Sequence, residues 1–145
     1  MSYQVTTQPV IRNNTVINNQ AGGVYVQAQY PAQVACPQVF EHNVIQNNAG
    51  DGLVVANGTT RRSVALTGNT ITGNNGYPVA FYGTTDFAFG AGNTFDTAGG
   101  SGVKLGIAVS GVIGDDVTWP AYGNWPYVVT NDVTIDENAT LTIPA

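Results

Sequence analysis

Charged residues are scarce in this chain and make up only 9% of its 145 residues, against roughly 25% in ordinary soluble domains. Nine acidic residues and four Lys or Arg residues give a formal net charge of −5. Nucleic-acid binding needs clustered Lys and Arg, so this balance argues against a nucleic-acid partner. Solubility must instead come from neutral polar groups, which Asn, Thr and Gly provide.

Cysteine and histidine are rarer still, because Cys36 and His42 are the only residues of their types. A single Cys excludes an internal disulfide, and one Cys with one His cannot form a typical zinc site. No hydrophobic run approaches the roughly 18 residues of a membrane-spanning helix. There is also no phosphate-binding glycine loop and no nucleophile elbow. We therefore expect no metal site, no cofactor and no membrane insertion.

What the chain does contain is a unit that opens with Asn and occurs four times. The copies begin at Asn14, Asn43, Asn69 and Asn93, spaced by 29, 26 and 24 residues. In each copy apolar residues follow the Asn at the second, tenth and twelfth positions, and no gap is needed inside any copy. Periods of 20 to 50 residues are typical of solenoids, in which each repeat covers the hydrophobic face of its neighbour. Two internal columns are thereby predicted: Val16, Ile45, Ile71 and Phe95, and Val24, Leu53, Val79 and Val103.

The repeated unit is predicted to be extended. Pairs such as Val24-x-Val26 and Leu53-x-Val55 alternate with period two, and Gly occurs 18 times, so the pattern favours strands over helix. One short strand precedes each Asn, a second follows it, and the alternating pair forms a third after a polar bend. We expect about four rungs of three strands, a rung being one turn of a parallel coil.

In these residues the sequence resembles the right-handed parallel β-helix proteins of the pectate-lyase-like superfamily. The shared motif is Asn-x-(Val/Ile/Phe), a polar bend, and then (Val/Leu)-x-(Val/Phe/Leu), covering roughly Val10 to Leu105. In that family an Asn at the bend between the second and third strands stacks on its counterparts in a hydrogen-bonded ladder. The resemblance assigns this role to Asn14, Asn43, Asn69 and Asn93. A buried amide needs a donor and an acceptor, and an identical amide one rung away provides both. The alternative is that these residues simply favour bends.

The pattern loosens after Ile107, and we divide the chain into β-helix rungs at residues 1–112 and a strand-rich extension at 113–145. The extension is expected to be irregular around Trp119 and Trp125 and to form strands near Tyr127–Ile135 and Thr140–Ile143. Its end resembles the opening of a further β-helix unit in large bacterial surface or secreted proteins. Solenoids need polar caps, and none is recognisable here, so we expect the chain to be a segment of a longer protein.

A catalytic centre is not recognisable. Enzymes of the superfamily work along the third-strand face, whose outward positions are expected to be Tyr25, Val54, Ala80 and Lys104. None of these is a carboxylate. Asp51 lies alone in an adjoining bend, although hard cations such as calcium require several oxygen ligands together. The pairing of other acids, such as Asp86 with Asp96 or Asp115 with Asp116, is unsupported. We assign no catalytic residue and no metal ligand.

The loops between rungs vary most in length, and variable loops on a regular scaffold are common binding surfaces. Tyr30, Arg61 and Arg62 are therefore candidates for a loop-borne binding surface, although solvated surface residues are the simpler interpretation. The first functional hypothesis is a non-catalytic β-helix segment of a larger secreted or cell-surface protein, with loops that contact a polysaccharide or another surface protein. The alternative is a fragment of a polysaccharide lyase or glycoside hydrolase whose active rungs lie outside this segment.

Overall fold

Short strands separated by bends make up the described part of the chain. The computed structural model describes residues 10–28, 38–57, 62–83, 85–97, 99 and 101–144. Within these ranges the strands are β1 (Val10–Arg12), β2 (Thr15–Ile17), β3 (Val24–Ala28), β4 (Gln38–Glu41), β5 (Val44–Gln46), β6 (Leu53–Asn57), β7 (Arg62–Thr67), β8 (Thr70–Thr72), β9 (Val79–Tyr82), β10 (Thr85–Phe89), β11 (Thr94–Phe95), β12 (Ile107–Ile113), β13 (Val117–Thr118), β14 (Tyr127–Ile135) and β15 (Leu141–Thr142). No helix in the same ranges is long and apolar enough to cross a bilayer.

The strands form three parallel sheets, and each complete rung contributes one strand to each sheet. The first sheet contains β1, β4, β7 and β10, and the second contains β2, β5, β8 and β11. The third sheet contains β3, β6, β9, β12 and β14. Because each strand pairs with the equivalent strand of the next rung, the backbone hydrogen bonds run along the coil axis. This arrangement confirms the predicted all-β parallel solenoid of three short strands per rung.

The second sheet aligns the predicted column that follows the Asn residues. Val16 pairs with Ile45, and Ile45 and Phe95 both pair with Ile71. Ile45 and Ile71 are 1% and 0% exposed and Phe95 is 6% exposed, whereas Val16, in the outermost rung, is half-buried. The four side chains therefore share one internal column.

The third sheet contains the other column, with one change from the prediction. Val24, Leu53 and Val79 pair in register as expected, but Val79 continues to Ile107 rather than to Val103. Val103 lies in the bend before β12 and is only half-buried. The ungapped alignment is wrong for the fourth rung because its bend is longer by four residues. Residues 103–105 merely repeat the alternation of a strand.

The C-terminal residues continue the stack. The expected division at residue 112 falls inside β12, and β14 pairs with β12 in parallel. β13 lies against β10 and pairs in turn with β15. The fifth rung thus adds β14 to the third sheet, while β13 lies beside the first sheet without joining it. In place of a strand in the second sheet it has an irregular segment, residues 119–126, that crosses beyond β11.

Aromatic side chains fill the core at this end of the coil. Phe81 and Phe87 stack with ring centroids 4.2 Å apart, and Phe89 lies 4.5 Å from Tyr122. Trp119 is only 5% exposed and packs beside Phe87. Segment 119–126 therefore covers the last complete rung with its own aromatic residues.

Candidate functional site

The four predicted Asn residues form a continuous chain of side-chain hydrogen bonds. Asn14 Nδ2 donates to Asn43 Oδ1 at 3.0 Å, Asn43 Nδ2 to Asn69 Oδ1 at 2.9 Å, and Asn69 Nδ2 to Asn93 Oδ1 at 3.0 Å. The backbone N–H of each donating residue also reaches the same oxygen. The Asn side chains are stacked, as the resemblance implies. They lie, however, at the bend between the first and second strands of each rung.

A second ladder occupies the bend between the second and third strands. Asn19 Nδ2 donates to Asn48 Oδ1 at 2.8 Å, and Asn48 Nδ2 donates to Asn74 Oδ1 at 2.8 Å. Asn48 and Asn74 are each 1% exposed. Sequence reasoning missed this ladder, although its members follow the first ladder by five positions in three successive rungs. They were interpreted only as bend residues.

A cleft lies where the second sheet has no fifth strand. It has a volume of about 790 Å³ and opens between residues 93–97 on one side and residues 122–126 on the other. Phe95 lies at its base, and the Trp125 ring meets Phe95 edge-on with centroids 5.2 Å apart. Tyr122 packs against the same Phe95 ring at 5.5 Å. Among the described residues that line the cleft, Asp96 is the only acid, and the other polar side chains belong to uncharged Asn, Thr, Tyr and Trp residues.

Tyr122 fixes segment 119–126 to the edge of β11. Its hydroxyl donates to the backbone oxygen of Asn93 at 3.2 Å. In the preceding rungs the oxygen of the ladder Asn accepts from a backbone N–H of the next rung, as Asn69 O does from Thr94 N at 2.7 Å. The Tyr122 hydroxyl thus takes the place of the backbone donor that a fifth strand would supply. The cleft lies beside this contact, and both Asn93 and Tyr122 line it.

Comparison with known proteins identifies the scaffold. A family model described as the right-handed β-helix region matches residues 1–95. This chain belongs to the right-handed β-helix family. No curated protein and no solved structure matches the chain.

The outer face of the third strands in this β-helix presents small apolar and tyrosine side chains. Tyr25, Val54 and Ala80 occupy its outward column as predicted, but Ala108 rather than Lys104 follows them. Ala80 and Ala108 are fully buried, and Tyr77 and Tyr82 pack against them. Burial, together with the nearby Asp51 carboxylate, raises the pKa of the Tyr82 phenol. Tyr77 and Tyr82 therefore cover this face at Ala80 and Ala108, whereas Tyr25 in the outermost rung is exposed.

Lys104 lies in the longer bend of the fourth rung. Its Nζ is 5.0 Å from the centre of the Tyr77 ring, which is within range of a cation–π contact. Its predicted place on the third-strand face is wrong for the same reason as that of Val103, namely the longer bend. Here it packs against the bend of the preceding rung.

Four carboxylates of the β-helix accept hydrogen bonds from backbone N–H groups of neighbouring rungs. Asp51 Oδ1 accepts from Tyr77 N at 2.7 Å, and Asp96 accepts from Gly73 N at 2.8 Å. Asp86 and Asp116 accept from backbone N–H groups in the same way. Asp86 and Asp96 have partners on different strands and are not brought into an acid–base pair by these contacts. Among the described residues no group of three or more His, Cys, Asp or Glu side chains is positioned to hold a metal ion.

The predicted loop-borne surface falls largely outside the described ranges. Tyr30 and Arg61 lie outside the described residues, and Arg62 is the first residue of β7 with a side chain that is not described. The cleft residues Tyr122 and Trp125 were not predicted as a site. The available signal was the concentration of aromatic residues in a segment rich in Pro and Gly.

Proposed function

We propose that this β-helix is a non-catalytic segment of a larger secreted or cell-surface protein and that it contacts carbohydrate. The observation that carries the proposal is the cleft beside β11, where aromatic rings and neutral polar side chains converge. Binding pockets for small ligands are typically concave and apolar, with a few polar groups that orient the ligand. Aromatic rings provide flat apolar faces of the size of a sugar ring. The cleft is of a suitable volume, about 790 Å³.

The use of the carboxylates supports binding rather than hydrolysis. Glycoside hydrolysis generally requires two carboxyl groups that flank one bond. Four Asp side chains instead accept hydrogen bonds from backbone N–H groups of neighbouring rungs, namely Asp51, Asp86, Asp96 and Asp116. These acids stabilise bends between rungs. A secreted or surface location is proposed on the resemblance of the C-terminal residues to the start of a further unit in large surface proteins.

Binding and turnover can be tested on the chain as it stands. We expect the protein to bind glycans from a diverse panel, as measured on a glycan array. Chromatography of polysaccharides incubated with the protein should show no shorter products. Calcium titration by calorimetry should give no heat of binding. Failure to bind any glycan at millimolar concentration would overturn the proposal. Depolymerisation of a polysaccharide by the purified chain would replace it with the lyase or hydrolase alternative.

A further inference from the structure

The cleft exists because the fifth rung skips one sheet. β14 continues the third sheet and β13 lies against β10 while pairing with β15, whereas residues 119–126 pass beyond β11 without pairing as a strand. Tyr122 fixes this segment at the Asn93 oxygen, and Tyr127, which follows it, donates through its hydroxyl to Pro120 O. Segment 119–126 is thus held by hydrogen bonds at Pro120 and at Tyr122. A recess held in this way is largely pre-formed, which reduces the entropy lost on ligand binding.

The charges around the cleft limit which classes of ligand it can bind. No Lys or Arg is present among the residues that line it, and Asp96 is the single acid. The Asp96 carboxylate is already engaged, because both of its oxygens lie within 3.1 Å of Gly73 N. An anionic ligand would find no counter-charge and would approach this carboxylate, which is unfavourable. A hard cation would find too few oxygen ligands.

The remaining groups suit a neutral ligand with one apolar face and many hydroxyls. Trp125 is half-buried and lines the opening, so part of its surface is available to a ligand. Thr94 and Asn124 add neutral polar side chains to the lining, whereas the Asn93 side chain is engaged in the first ladder. Uncharged pyranoses have this combination, since C–H groups cover the ring face and hydroxyls surround its rim.

We propose that the cleft between residues 93–97 and 122–126 is a binding site for neutral saccharides, with Trp125 as the ring against which a pyranose packs. This inference rests on the proposed carbohydrate-binding function and deepens it by assigning the site and the class of sugar. The assigned site is distinct from the third-strand face. Acidic polysaccharides such as pectins are not expected to be its ligands.

The two tryptophans allow occupancy of the cleft to be followed in the folded protein. Trp119 is 5% exposed in the core, whereas Trp125 lines the cleft. The W119F variant therefore reports on Trp125 alone, and the W125F variant reports on Trp119 alone. Titration with neutral oligosaccharides such as manno-, xylo- or cello-oligosaccharides should change the fluorescence of W119F. The same titration should leave the fluorescence of W125F unchanged.

Affinity measurements on two further variants complete the test. W125A should weaken binding of the neutral oligosaccharide by about tenfold or more, because buried aromatic contacts commonly dominate recognition. The matched control is Y25A, which removes an aromatic residue that is 63% exposed on the outer face of the third strands. Y25A should bind as the wild type does. Circular dichroism and the urea midpoint verify that each variant is folded.

The outcomes distinguish this inference from the proposed function. Glycan binding that survives W125A but is lost in Y25A would move the site to the third-strand face and overturn the cleft assignment alone. Binding restricted to acidic polysaccharides would overturn the neutral class of ligand. If the fluorescence of W119F does not change under conditions where glycan is bound, the assignment of the site to the cleft is likewise overturned. No binding to any glycan would refute the proposed function itself.

Discussion

Replacing Asn69 by Ala removes a fully hydrogen-bonded amide from the interior of the first ladder. Asn69 Oδ1 accepts from both the backbone N–H and Nδ2 of Asn43, at 3.0 and 2.9 Å. Its own Nδ2 donates to Asn93 Oδ1 at 3.0 Å and to Phe40 O at 2.8 Å. Asn43 is 2% exposed and Asn69 is 1% exposed, so water cannot replace these contacts without opening the coil.

The expected loss of stability follows from the polar groups that lose their hydrogen-bond partners. In the variant two N–H groups of Asn43 lose their acceptor, and each buried unsatisfied group costs about 1–3 kcal/mol. Asn93 Oδ1 still accepts from the backbone N–H of residue 69 and is not orphaned. We therefore expect Asn69→Ala to lower the free energy of unfolding by about 3–5 kcal/mol, including the small cavity.

Asn14→Ala is the matched control because it changes the same residue type at the exposed end of the same ladder. The Asn14 side chain only donates, to Arg12 O and Asn43 Oδ1. Asn43 Oδ1 keeps its bond from the Asn14 backbone N–H at 3.1 Å. Since no buried group is orphaned, the loss should remain below about 1 kcal/mol, as is usual for surface substitutions.

Urea denaturation followed by far-ultraviolet circular dichroism and by tryptophan fluorescence measures both variants. The two probes should give coincident transitions, and the change in midpoint multiplied by the slope gives the difference in stability. Equal losses for Asn69→Ala and Asn14→Ala would refute the reasoning. That result would mean that the amides favour bends and that their hydrogen bonds along the coil add little.

Three further predictions concern packing, backbone approach and pH. Ile45→Ala should cost about 2–5 kcal/mol because the side chain is 1% exposed, whereas Ile17→Ala, at a side chain 44% exposed in the adjacent rung, should cost under about 1 kcal/mol; equal urea midpoints would contradict this. Gly52→Ala should destabilise by about 1–3 kcal/mol, since an added Cβ would lie 2.6 Å from a backbone oxygen of the next rung, whereas Gly99→Ala meets nothing closer than 3.7 Å and serves as the control in thermal melts. Burial raises the pKa of the Tyr127 phenol, so stability should be unaffected below about pH 10 and should fall as pH rises above it. Tyr127→Phe should flatten that decline in urea midpoints measured across alkaline pH, and an unchanged slope would count against the assignment.

The coil was predictable from sequence because its constraints repeat. Ile45 and Ile71 occupy equivalent positions relative to Asn43 and Asn69, and each must point inward to cover its neighbour. The length of a bend is under no such constraint. The fourth rung could therefore be extended before Ile107 while Val103 still matched the pattern. Only the register of the strands shows that Ile107, and not Val103, continues the column.

The cleft was not predictable because it depends on a contact made once. Tyr122 and Asn93 are 29 residues apart, and no repeated pattern links them. The second ladder is a different kind of omission. Asn48 and Asn74 lie at a regular spacing, but Asn also favours bends for local reasons, which gives the same pattern a second explanation. Equal spacing of buried polar residues is a stronger signal than their bend propensity.

Both amide ladders share a direction. In each, Nδ2 of one rung points toward the carbonyl oxygen of the rung that follows it in the chain, from Asn14 toward Asn93 and from Asn19 toward Asn74. The two columns of dipoles are therefore aligned, and hydrogen bonds in such rows polarise one another. The two ends of the coil are consequently unequal as templates. A rung stacked on Asn14 would have to bring amide donors, whereas both hydrogens of Asn93 Nδ2 are already donated to Leu66 O and Gly90 O.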